Sequence, residues 1–127
     1  MIDVGVPTYR CDLDILRRII ALRCEWPRVT VHFWLIVDNP QSPNVDAVRS
    51  LETARSENGE IPNYCVHVHV HKGNFGASVA RNTALDYSNA DWMLLLDDDV
   101  TVDSELLNAY VGAILRHPQA RILVGNT

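Results

Sequence analysis

The chain has 127 residues, 47% of them hydrophobic, and a formal charge of −5 at pH 7. That length supports one compact domain with its own core. No apolar run reaches the roughly eighteen residues that a membrane-spanning helix needs, and scattered Lys and Arg under a net acidic balance argue against nucleic acid as a partner.

IDVGVPTY opens as a short apolar strand closed by Pro7. Leu13, Leu16, Ile19 and Ile20 then recur at helical spacing, with Arg17, Arg18 and Arg23 on other faces, until Pro27 ends the element. VTVHFWLIVD, residues 29–38, is rich in β-branched and aromatic residues and predicts a strand buried on both faces. NPQSPN is a loop, and Val45, Val48 and Leu51 suggest a helix after it. ENGEIPN is a second loop, YCVHVHV alternates with the period of a strand, and KGNFG is a turn. Ala77, Ala80, Ala84 and Leu85 mark a helix whose small-residue face suits close packing on a sheet. WMLLLD predicts a further buried strand. Asp103 is placed to cap the next helix, with Glu105 in its first turn and Leu106, Leu107, Tyr110, Val111, Ile114 and Leu115 on its core face. Pro118 closes it, and RILVG, residues 121–125, predicts a last strand.

Strand and helix therefore alternate along the whole length, which predicts a single α/β domain over residues 1–127. Its sheet would be mostly parallel, with helices on both faces. Ligands in such sheets bind beyond the carboxyl ends of the strands. Those ends carry Pro7, Thr8 and Tyr9, then Asp38 and Asn39, then Lys72, Gly73, Asn74 and Gly76, then the triplet Asp97, Asp98 and Asp99. The opening residues MIDVGVPTYR lack the basic and apolar regions of a signal peptide. Cys11, Cys24 and Cys65 are odd in number, lack zinc-type spacing and read as reduced thiols. The expectation is a place in the cytoplasm or on the cytoplasmic face of a membrane, with no membrane contact made by this chain.

The triplet needs a reason. Two carboxylates about 4 Å apart repel by roughly 4 kcal/mol at an effective dielectric of 20. If the strand runs through the triplet, Asp97 and Asp99 share one side; if it turns, the three fan around the strand tip. Either way, hard oxygen ligands on a strand end suit Mg²⁺ or Mn²⁺, which keeps open positions for substrate phosphates. A solvated acidic turn is the plainer alternative.

Four ordered segments, VGVPTYR, LIVDN, NFGASVARNTAL and WMLLLDDDV, resemble the nucleotide-binding half of family 2 glycosyltransferases, whose Rossmann-like domain is called the GT-A fold. The third looks like the family's Asn-x-Gly…Ala-Arg-Asn helix start and the fourth like its Asp-x-Asp motif. The resemblance implies transfer of a sugar from a nucleotide-diphosphate sugar, a UDP-sugar first of all, to an acceptor hydroxyl, with inversion and with Mn²⁺ or Mg²⁺ as cofactor. It places Pro7 and Tyr9 along the base, and Asp38 as acceptor from a base N–H. Asn74, Gly76 and Arg81 would line the pocket. Asp97 and Asp98 would lie on the donor, and Asp97 with Asp99 on the metal. The family's general base and acceptor-binding half lie beyond the matched portion, so they are expected after residue 127. The chain itself is expected to supply the donor-binding half and no catalytic base.

LLLDDDVTV also fits the first motif of haloacid-dehalogenase-type phosphatases, with Asp97 as nucleophile and Asp99 as acid/base. That motif normally opens its domain, whereas here one helix and one strand follow it. A sugar nucleotidyltransferase would need a Gly-rich loop after the first strand, and VGVPTYR has none. A non-catalytic nucleotide-binding domain is a third class. His67, His69 and His71 alternate on one strand and could form a zinc pair, although a packed face is the commoner outcome.

Overall fold

The computed structural model describes residues 2–53, 63–99 and 101–119. In chain order its elements are β1 (Ile2–Thr8), α1 (Leu13–Ile20), β2 (Val31–Val37), α2 (Val45–Arg49), β3 (Tyr64–Val70), α3 (Ala77–Tyr87), β4 (Trp92–Leu95) and α4 (Leu106–Arg116). The strands form one sheet in the order β3-β2-β1-β4, with every neighbouring pair parallel. The strand expected over residues 121–125 lies outside the described residues.

The pleat sorts the strands into two faces. Ile2, Val4 and Val6 of β1 join Val31, Phe33, Leu35 and Val37 of β2 in the main core. Leu16 and Ile19 of α1, Val48 of α2 and Leu107 of α4 close over that face. Fully burying such a side chain stabilises the fold by about 1.5–3 kcal/mol. α1 starts where it does because the Asp12 carboxylate accepts from the Asp14 and Ile15 backbone N–H groups.

The opposite face is covered by α3 through Ala80 and Ala84, which pack on Ile36 with Trp34 and Met93 at the margin. Gly5 permits this approach. A Cβ there would stand 3.0 Å from the Ala84 Cβ and 3.1 Å from side-chain atoms of Leu95 and Met93. Helices thus lie on both faces of a parallel sheet, as the alternating pattern predicts.

Several local expectations are corrected. α1 ends at Ile20, before Pro27 is reached, and Leu115 is exposed rather than on the core face of α4. β1 is not closed by Pro7 but runs through it to Thr8. Pro7 shares the parity of Gly5, whose carbonyl accepts from Leu96 on the β4 side. Pairing with β4 ends at Gly5 and Leu95, so the missing proline N–H falls where no ladder partner is needed. β4 is half-exposed rather than buried, because it ends the sheet among the described residues and Leu95 is 41% exposed. Leu85 points away from the small-residue face of α3 and is exposed. Asp103 accepts from the Glu105 N–H in the turn before α4 and does not cap the helix itself.

Candidate functional site

The carboxyl ends of β1, β2 and β4 open on a cleft of about 190 Å³. β1 supplies Pro7, Thr8 and Tyr9, and β2 is followed by Asp38. The first turns of α3 add Ala77 and Arg81, and the loop after β4 adds Asp97, Asp98 and Asp99. Among the described residues, two larger hollows, about 530 Å³ beside Trp26 and α4 and about 370 Å³ beside Arg23 and Tyr64, lie away from these strand ends. Neither gathers a comparable set of acidic groups, so the smaller cleft is the candidate site.

β4 stops at Leu95, and the triplet turns rather than continuing the strand. Its three carboxylates take separate directions. Asp97 Oδ1 accepts from Arg81 Nη2 at 2.7 Å. Both side chains are substantially exposed, so the pair adds little to stability and chiefly sets where the guanidinium sits. Asp98 turns back to β1, where its Oδ2 accepts from Thr8 Oγ1 at 2.7 Å and from the Arg10 N–H at 3.3 Å. Thr8 Oγ1 in turn accepts from the Cys11 N–H, and Cys11 adopts a positive φ of 52° to make that turn. Asp99 is exposed on the cleft. Donors for two of the three carboxylates thus offset much of the repulsion.

Asp38 is 4% exposed. Its Oδ1 accepts from His71 Nδ1 at 2.8 Å and the Phe75 N–H at 2.9 Å, and its Oδ2 from the Gly76 N–H at 2.8 Å. Burial alone would raise its carboxyl, but the His71 bond and the two backbone donors outweigh it and hold the group below the ordinary carboxylate range. A carboxylate has about four acceptor positions, so about one remains, on Oδ2. Asp38 therefore fixes the 72–76 turn first and has little left for a ligand.

The cleft thus brings together Pro7, Tyr9, Asp38, Arg81, Asp97, Asp98 and Asp99. Asn74 and Gly76 do not line it. Asn74 is exposed on the turn, and Gly76, at φ 95°, meets the cleft only through its N–H on Asp38. Thr8 and Ala77 line the cleft without having been expected as site residues, and His71, expected only as a possible zinc ligand, holds Asp38 instead. For Thr8 a signal exists: its parity with Val4 and Val6 buries a hydroxyl, and a buried hydroxyl needs a partner.

The three alternating histidines do not converge on one ion. His67 Nε2 meets His32 Nδ1 at 2.9 Å and stacks on Trp34, His69 lies against Tyr87, and His71 bonds Asp38 and Thr83. Among the described residues no group of three or more His, Cys, Asp or Glu is arranged to hold a metal. A closed zinc cage is therefore absent from that part of the chain. The donor set of Asp97 and Asp99 on an open cleft has a different chemistry. It suits a hard cation bound by one or two carboxylates and completed by phosphate and water.

A parallel sheet with an acidic cleft at its strand ends defines a class. The chain matches the Glycosyl transferase family 2 model over residues 3–126, and it belongs to that family. It is 36% identical over 109 residues to the succinoglycan biosynthesis protein ExoM of Rhizobium meliloti (strain 1021), a match spanning 84% of this chain and 32% of ExoM. It superposes on S. aureus TarS 1–349 with a TM-score of 0.68 at 21% identity, covering 92% of this chain and 33% of that one. The complex of TarS 1–349 with UDP-GlcNAc gives a TM-score of 0.69 at 20% identity, covering 92% and 32%. These structures share the GT-A fold of this chain, which spans about a third of the length of the proteins it matches. Family membership displaces the phosphatase reading of the triplet.

Proposed function

We propose that this chain is the donor-binding half of a glycosyltransferase that moves a sugar from a nucleotide-diphosphate sugar to an acceptor hydroxyl, with inversion. The observation that carries the reading is the convergence of three strand ends on one acidic cleft in a chain of this family. The UDP-GlcNAc complex of TarS, a protein of the same fold, supports a UDP-sugar as the first donor to test.

Pro7 and the exposed Tyr9 ring offer the base an apolar wall, and the remaining Oδ2 position of Asp38 can accept one base N–H. The cleft lining holds four carboxylates against one guanidinium, Arg81, so a diphosphate entering alone would be repelled. Asp97 and Asp99 would hold Mn²⁺ or Mg²⁺ there. When bound, such an ion neutralises the diphosphate and stabilises the charge that develops on the departing nucleotide. Thr8 fixes Asp98 against β1 and so fixes the loop that carries both ligands. Arg81, held by Asp97, adds positive charge at the cleft wall.

Thermal unfolding with Mn²⁺ and a panel of nucleoside diphosphates tests the reading. A ligand at a hundredfold over its Kd adds about 2.7 kcal/mol. Stabilisation by UDP that requires Mn²⁺ and disappears in Asp99→Asn is expected. No stabilisation by any nucleotide would refute it.

A further inference from the structure

His71 is 6% exposed, and its imidazole bridges two elements. Nδ1 lies 2.8 Å from Asp38 Oδ1 at the end of β2, and Nε2 lies 2.9 Å from Thr83 Oγ1 in the middle of α3. The Thr83 hydroxyl donates to the Val79 carbonyl one turn back, at 2.9 Å. Its oxygen also lies within hydrogen-bond reach of His71 Nε2. The Asp38 carboxylate can only accept, so Nδ1 carries a hydrogen toward it, while Nε2 pairs with the Thr83 hydroxyl. His71 also meets His69 and Phe75 edge-on or tilted, which fixes its plane.

The same Asp38 carboxylate holds the Phe75 and Gly76 N–H groups that lead into α3. The imidazole thus grips α3 twice, directly at Thr83 and through Asp38 at the helix start. Arg81 lies between those two points and reaches Asp97 at 2.7 Å. We propose that His71 is a positioning residue for the donor cleft, bridging the Asp38 carboxylate and the Thr83 hydroxyl and so setting α3, and hence Ala77 and Arg81, against the acidic loop. This inference rests on the donor-site reading above. It also gives the last histidine of HVHVH a role that a zinc pair would not.

Two measurements test it. The ¹⁵N shifts of the His71 ring are expected to show hydrogen on Nδ1, toward Asp38; a ring with a bare Nδ1 overturns the grip on Asp38 without reference to any nucleotide. UDP affinity in the presence of Mn²⁺ is then compared among the unsubstituted chain, His71→Asn and His71→Leu. Leu fills the volume without donating, whereas Asn keeps an N–H for Asp38. The expected order is unsubstituted, then Asn, then Leu, with Leu about tenfold or more weaker than the unsubstituted chain. Equal affinity in Leu, or Leu binding better than Asn, overturns the positioning role alone. Failure of the unsubstituted chain to bind any nucleoside diphosphate overturns the donor-site reading and the positioning role with it.

Discussion

Thr8 and Asp98, ninety residues apart in sequence, are joined by a 2.7 Å hydrogen bond that ties the end of β1 to the loop after β4. The hydroxyl is buried and also accepts from the Cys11 N–H. Thr8→Val keeps the volume and removes both bonds. Breaking a bond to a charged group and orphaning a buried N–H costs about 1–3 kcal/mol. Urea unfolding is expected to show that loss, together with weaker Mn²⁺-dependent nucleotide binding because the acidic loop is released.

Asp38 makes the fold sensitive to acid. Its carboxyl is held below the ordinary value of about 3.9, so the stability it contributes is full above that pH and is lost as pH falls through its folded value. Asp38→Asn replaces an acceptor with an amide beside N–H donors and is expected to cost about 1–3 kcal/mol near neutrality. Unfolding titrations from pH 6 downward should show a steeper loss in the unsubstituted chain than in the variant.

The imidazoles of His67 and His69 act at milder pH. Burial, and then the neighbouring His32, holds His67 below the ordinary histidine value, against weaker opposing pulls from Glu52 and Asp3. Burial and His71 do the same for His69. Their neutral forms are favoured in the fold, so the stability linked to them is present above about pH 6.5 and falls as pH drops through their folded values. His67→Phe keeps a ring to stack on Trp34 and cannot charge. Its stability is expected to change less between pH 7 and pH 5 than that of the unsubstituted chain, by denaturant unfolding at each pH.

Gly5 sets the distance between α3 and the sheet. Gly5→Ala puts a methyl 3.0 Å from the Ala84 Cβ, a contact that a helix cannot relieve by rotating a side chain. Overpacking of this kind costs about 1–3 kcal/mol. The variant is expected to unfold at lower urea and to bind nucleotide more weakly, since α3 carries Arg81.

The order of strands and helices was legible because hydrophobic period and punctuation repeat cleanly from Ile2 to Arg116. The cleft was legible because parallel strands put their carboxyl ends on one rim, which gathers Tyr9, Asp38 and Asp97 without knowledge of any contact. What sequence could not supply was the allocation of hydrogen bonds. A strand-end aspartate looks available to a ligand, yet Asp38 turns inward to the Phe75 and Gly76 N–H groups, and nothing in LIVDN says so. Asn74 and Gly76 were expected on the cleft because their motif precedes a helix that lines it. The positive φ of Gly76 instead turns its N–H to Asp38 and leaves Asn74 outside. The alternating histidines were read as a potential set, and the neighbours Trp34, Tyr87 and Thr83 divide them.

The most direct test of the donor cleft is paramagnetic. Mn²⁺ added with UDP to the ¹⁵N-labelled chain should broaden the amide signals of Asp97 and Asp99 most, then those of Thr8, Tyr9 and Arg81, while leaving His67 sharp. Asp99→Asn should abolish the pattern. Broadening centred elsewhere, or a pattern indifferent to UDP and to Asp99→Asn, would contradict the assignment of this cleft to a metal-bound nucleotide-diphosphate sugar.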